Sequence, residues 1–181
     1  TDLINSFESS LSTDEQSNQS SDEIKIFIMI ASIIYHLASA WRGNIIDSKI
    51  YLYFEKLIKF QKILFNCGIS NNDRKLIQTS SAALNQLIFN ATSDLASRLG
   101  DIYKSSLDYI EEAKTQSLSP DTLFLVQSSF SENITTLLVK LKRFPRSNSY
   151  EIISTYSGRT LELLYELLSN KNVDIYEEGL M

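Results

Sequence analysis

The chain has one cysteine, one histidine, one tryptophan, two prolines and five glycines among its 181 residues. Each shortage excludes something. A lone Cys67 has no partner for an intrachain disulfide and is compatible with a reducing compartment. One cysteine and one histidine cannot fill the four positions of a Cys/His zinc site. A diiron bundle needs two Glu-x-x-His pairs, and Ile33 stands where a glutamate would precede His36. So little glycine and proline argues against an all-β fold, which needs many tight turns. An excess of positive charge is also missing. The net charge is -5 and the pI is near 4.9, which opposes bulk attraction to nucleic acid.

Catalytic signatures are missing as well. The chain contains no G-x-G-x-x-G, P-loop, H-E-x-x-H, G-x-S-x-G or EF-hand pattern. Glu111-Glu112 and Glu177-Glu178 are adjacent carboxylates, which point to different faces of a helix and read as solvated surface. Cys67 precedes Gly68 at an expected helix C-terminus, the wrong end to lower a thiol pKa. No enzyme, metal site or cofactor is expected. "TDLINSFESSLSTDEQ" is polar and acidic where a signal peptide would be basic and then apolar. The absence of an initial Met suggests a fragment of a longer chain. Asn18, Asn90 and Asn133 each begin a glycosylation tripeptide, of the kind a Ser/Asn-rich chain produces by chance.

What is present is helical periodicity in a chain that is 43% hydrophobic. Residues 1–21 read as a short amphipathic segment, with Leu3, Ile4, Phe7 and Leu11 on one face, followed by a flexible acidic linker. A first helix is expected from about Asp22 to Arg42, capped by Ser21 or Asp22. Its apolar residues cover nearly the whole circumference, with Ile34, Leu37, Ala38 and Trp41 on the buried face. That pattern suits a central helix surrounded by others. A membrane span is the alternative, opposed by Lys25, Ser32, His36 and Ser39. Gly43-Asn44 would end this helix.

A second helix is expected over about 47–66, with a stripe of Ile50, Phe54, Leu57, Gln61 and Leu64 and with Gly68 as its stop. The next stripe runs through Leu76, Ser80, Ala83, Leu87, Ala91, Leu95, Leu99, Ile102, Ser106, Ile110 and Ala113 without losing phase. It predicts either one helix over about 72–116, begun by Asn71 or Asn72, or a kink at Gly100. Ser119 and Pro120 open a fourth helix, closed near 144 by Lys140, Lys142 and Arg143 and by Pro145. A fifth runs over about 149–170, with Gly158 as a weak point. The expected fold is therefore all-α: an up-and-down bundle of four to five antiparallel helices over 22–170, with an acidic tail over 171–181.

"IQTSSAALNQLIFNATSDLASRL", Ile77 to Leu99, is similar to helices of focal-adhesion-targeting and vinculin-like bundles, which also mix Leu with Ala, Ser and Thr. The resemblance implies a scaffold module that binds short amphipathic helices in grooves between its own helices.

Together these readings make the chain a non-catalytic interaction module of a cytoplasmic scaffold or regulatory protein. The expected partner is a short amphipathic helix or another helical domain, not nucleic acid. The groove is expected beside the second and fourth helices, where Tyr53, Phe60, Phe124 and Phe130 stand near Lys56, Lys59, Lys62, Lys140 and Arg143. The same basic residues, with Lys142 and Arg146, could instead hold anionic lipid headgroups at a membrane surface. A regulatory helical domain flanking a GTPase regulator is a further alternative. Arg146, three residues before Ser149, marks Ser149 as a possible phosphosite at the start of the fifth helix.

Overall fold

The computed structural model describes residues 20–41, 48–91, 96–115, 117–143 and 149–169. These form six helices: α1 Ser21–Trp41, α2 Ser48–Ser70, α3 Arg74–Phe89, α4 Ala96–Thr115, α5 Pro120–Arg143 and α6 Ser149–Ser169. No strand occurs among the described residues. The all-α fold is as expected. The N-terminal amphipathic segment, the Gly43-Asn44 exit, Pro145 and the acidic tail lie outside the described residues.

The helix starts are local chemistry. Ser20, not Ser21 or Asp22, caps α1: its backbone N–H donates to Glu23 Oε2 at 2.8 Å, and the Glu23 N–H donates to Ser20 Oγ at 3.3 Å. This reciprocal pair is a capping box. Ser119 caps α5 by accepting from the Thr122 N–H at 3.2 Å, with Pro120 at the first helical position as expected.

The α2–α3 corner differs from the expectation. Gly68 does not stop α2, which continues to Ser70. The terminator is Asn72, the described non-glycine residue with positive φ, at 52°. Its N–H reaches the Ile69 carbonyl at 3.0 Å, and the Asp73 N–H reaches the Gly68 carbonyl at 2.8 Å. That pairing is a Schellman motif with Asn72 in the left-handed position. Asp73 then caps α3, accepting from the Leu76 N–H at 2.8 Å. Gly68 has another role. A Cβ there would lie 2.9 Å from Ile77 Cγ1 and 3.0 Å from Ile77 N, so its bare Cα lets α2 close against the first turn of α3.

The expected third helix is two helices. The break is at Asn90, ten residues before Gly100, and Gly100 lies inside α4. It also separates two compact units, Thr1–Thr92 and Ser93–Met181, where one bundle over 22–170 was expected. The stretch that carries the vinculin-like resemblance is thus shared between α3 and α4.

In the first unit α3 is central. It packs along both α1 and α2, whereas α1 and α2 barely touch each other. Phe27, Ala31, Ile34 and Ala38 of α1, Ile58, Leu64 and Cys67 of α2, and Leu76, Ile77, Ala83, Leu84, Leu87 and Ile88 of α3 are buried. Small residues Ser80, Ser81 and Ala83 on α3 permit helices to approach closely on two sides.

In the second unit all three helices meet pairwise. Gly100 accepts the Ile152 side chain, whose Cδ1 lies where an added Cβ would stand. Further along, the Tyr103 and Thr160 hydroxyls are 2.6 Å apart, Arg159 bridges to Asp108 at 3.0 Å and to Glu111, and Lys114 pairs with Glu166. These contacts advance together along both chains, so α4 and α6 run parallel. Glu111 is therefore an ion-paired carboxylate rather than a merely solvated one.

Candidate functional site

The first helix was expected to be surrounded; it is covered on one side. Phe27, Ala31, Ile34 and Ala38 recur every three or four residues and form one buried stripe, and α1 packs chiefly on α3. At 100° per residue, a second apolar stripe lies about a third of a turn away. It consists of Ile26, Met29, Ile33 and Leu37, exposed by 52%, 64%, 56% and 48%. Leu37 thus belongs to the open stripe and not to the buried face. The Trp41 side chain lies outside the described residues.

Scattered surface leucines are ordinary, but four large apolar side chains in register along one helix are not. The remaining arc of α1 is polar or mixed. Lys25 pairs with Asp22 at 2.8 Å, Ser39 Oγ returns its proton to the Tyr35 carbonyl at 2.9 Å, and His36 is exposed with its ring edge-on to Tyr35 at 5.3 Å. Neither His36 nor the buried Cys67 stands in a group of metal-binding side chains; among the described residues no such group of three or more exists.

The arrangement of the first unit explains the open stripe. Two helices that each pack on a third, yet scarcely touch each other, occupy opposite corners around it. A four-helix bundle would place another helix beside both of them. The stripe is an apolar helix flank that stays about half exposed along its length. Sequence reasoning missed it because a helix that is apolar all round does not reveal which arc is covered.

The expected groove fares differently. Lys56, Lys59, Phe60 and Lys62 are on α2 in the first unit; Phe124, Phe130, Lys140 and Arg143 are on α5 in the second. Neither unit brings the two sets together. Phe60 and Phe130 are buried, with 8% and 4% exposure, and belong to the cores of their own units. Phe124 is half-buried, Lys59 and Arg143 are exposed, and Lys56 and Lys62 are intermediate. The Tyr53 side chain and Arg146 lie outside the described residues. Lys140 is buried; desolvation, and then the Arg143 charge, hold its ammonium below the usual lysine range. Ser149 is the first residue of α6.

Two of the three glycosylation tripeptides begin at buried asparagines, Asn90 and Asn133. The third, at Asn18, lies outside the described residues. Another buried amide was legible only as part of a stripe. Gln61 is fully buried on α2, and neither its Nε2 nor its Oε1 has a hydrogen-bonding partner.

Comparison of the chain with protein-family models, with curated proteins and with solved structures found no match.

Proposed function

We propose that this chain is a non-catalytic interaction module whose first unit receives an amphipathic helix along the exposed flank of α1. The observation that carries this reading is the four-residue stripe of Ile26, Met29, Ile33 and Leu37, half or more open along most of its length. Three features support it. The stripe is continuous over about three helical turns, the length over which helix-in-groove partners place their i, i+3, i+4 and i+7 anchors. It stands on a helix fixed by burial of its other side. Met29, unbranched and flexible, can adapt to a partner, while the β-branched Ile26 and Ile33 hold fixed rotamers on the helix and present a preformed apolar surface.

The basic residues of α2 and α5 take a smaller part in this reading than the sequence suggested, since Lys140 is buried. The test is a titration of the methyl-labelled full chain with a synthetic amphipathic helical peptide bearing acidic flanks. Shifts concentrated on the methyls of Ile26, Met29, Ile33 and Leu37, abolished by Met29→Glu with Ile33→Glu, are expected. Shifts spread without preference, or unchanged by the double substitution, would refute the reading.

A second reading has its own observation. Ser21–Ala40 is the segment among the described residues long and apolar enough to cross a membrane, and only 22% of that window is buried. Lys25 and the Asp22–Glu23 pair at its start oppose insertion at that end. Flotation of the full chain with vesicles of neutral and of anionic lipid separates the readings: a membrane role requires co-flotation that Met29→Glu with Ile33→Glu removes.

A further inference from the structure

We propose that α6 carries a self-association face, on which a second copy of this chain docks with its own α6 antiparallel to the first. The face belongs to the second unit and is separate from the α1 flank.

Leu161 and Tyr165 are the most exposed large apolar side chains among the described residues, at 65% and 73%. They stand one turn apart on α6 and share a face. Ser154 and Gly158 continue the same line toward the helix start and are exposed as well. At 100° per residue the four fall within about 60° of one another, opposite the buried Leu163. Steps that alternate between three and four residues make the seam of a coiled coil, with Gly158 and Tyr165 in one seam position and Ser154 and Leu161 in the other.

The sizes along the seam select the partner. Ser154 and Gly158 are small, and Leu161 and Tyr165 are large. A Cβ at Gly158 would meet nothing within 4 Å, so the seam has an open notch beside two projecting side chains. In an antiparallel pair each seam position faces the other one on the partner. One register sets Leu161 into the partner's Gly158 notch and Tyr165 over the partner's Ser154, and symmetry repeats both contacts. Large then meets small in every layer. A shift of one heptad sets Leu161 against the partner's Tyr165, or Ser154 against the partner's Gly158, which crowds the seam or leaves a void. A parallel pair stacks Tyr165 on its own copy and Gly158 on its own copy, with both faults at once. The face is therefore its own complement, as a two-fold interface requires.

Charge permits the pairing. Glu151 and Glu162 are the exposed carboxylates beside the seam. In this register the two copies of Glu162 are more than about 10 Å apart and those of Glu151 about 25 Å, so their repulsion is largely screened at 0.1 M salt. Arg159 and Glu166 are engaged with α4. The layers bury less than the roughly 800 Å² per partner of a stable interface. The dimer is weak, dissociated at about 1 µM and populated at about 1 mM.

The experiment is sedimentation equilibrium of the full chain between about 10 µM and about 1 mM, beside Gly158→Gln and Leu161→Gln. Both substitutions are at exposed positions, and glutamine is a better helix former than glycine. The melting temperature of the dilute Gly158→Gln chain should therefore not fall. The natural chain should dimerise as its concentration rises, and each variant should associate about tenfold more weakly or less, since the notch is filled or its occupant removed. A natural chain that stays monomeric throughout overturns the inference. A dimer that both variants leave unweakened also overturns it, and if Met29→Glu with Ile33→Glu abolishes that dimer, the second copy sits on the α1 flank instead. A nitroxide on Ser169→Cys, in a chain with Cys67→Ala, reads the orientation. The two labels should lie about 30 Å apart in the antiparallel register and about 10 Å apart in a parallel pair. The shorter distance overturns the arrangement proposed.

Discussion

Asn90 donates its side-chain amide to the backbone carbonyl of Ala38, 52 residues away, at 2.8 Å. The same amide donates to the Gln86 carbonyl at 3.0 Å, and the Asn90 backbone N–H also returns to Gln86, at 3.1 Å. One buried residue thus ends α3 and ties that end to the last turns of α1.

Asn90→Ala removes the donor and leaves the buried Ala38 carbonyl short of it. A loss of about 1–3 kcal/mol is expected, read as a lower urea midpoint with an unchanged slope. Asn90→Asp should cost at least as much, because it keeps the shape and substitutes an acceptor for the donor. An unchanged midpoint in both would show that the bond contributes nothing to the fold.

Gln61 is buried with neither end of its amide partnered, which is costly in an apolar surrounding. Gln61→Met has nearly the same length and volume and no polar group to desolvate. It should raise stability by about 1–2 kcal/mol. If thermal unfolding instead shows a loss, the amide has a role in the folded state that its surroundings do not reveal.

The glycines make opposite predictions. Nothing lies within 4 Å of a Cβ at Gly158, so Gly158→Ala should stabilise α6 by about 0.5–1 kcal/mol, through helix propensity and a less disordered unfolded chain. Gly68→Ala would press on the Ile77 backbone nitrogen and should cost about 1 kcal/mol or more despite the same propensity gain. Two variants that moved the melting temperature in the same direction would contradict the packing described for the α2–α3 corner.

Tyr103 and Thr160 give a pH dependence. The Thr160 hydroxyl donates to the Tyr156 carbonyl at 2.8 Å. Its single proton is thereby used, so Tyr103 is the donor in their 2.6 Å contact. Burial raises the Tyr103 pKa, in the same direction as a hydrogen bond donated by the neutral phenol. The folded state therefore holds a proton that the unfolded state releases above pH about 10. Bound protons then favour the folded state, so this contribution is intact below that pH and is lost as pH rises through the folded pKa. In Tyr103→Phe the alkaline fall in stability should be shallower. An identical alkaline slope in the two proteins would rule Tyr103 out as its source.

Much of the interior was readable from spacing. The described residues of the long stripe, Leu76, Ser80, Ala83, Leu87, Ala91, Leu99, Ile102, Ser106, Ile110 and Ala113, are buried. The stripe nonetheless belongs to two helices. Phase is a statement about side-chain directions, and two separate helices can share it by chance. The break depends on a side chain competing for backbone partners, and Asn90 competes well because Ala38 supplies a carbonyl from elsewhere. The site was less readable. Phe60 and Phe130 carried the aromatic signal of a groove, but each is packed inside a different unit.

The sequence by itself determined the helical class, most helix positions, the Ser119–Pro120 start of α5 and the apolar faces, because each follows from propensity, capping chemistry and the 3.6-residue period. Tertiary structure alone decided which arc of α1 was covered and which lay open. Periodicity counts the apolar sides of a helix but not its neighbours. On α1, which is apolar nearly all round, only the packing of α3 along Phe27, Ala31, Ile34 and Ala38 singles out Ile26, Met29, Ile33 and Leu37 as the exposed flank.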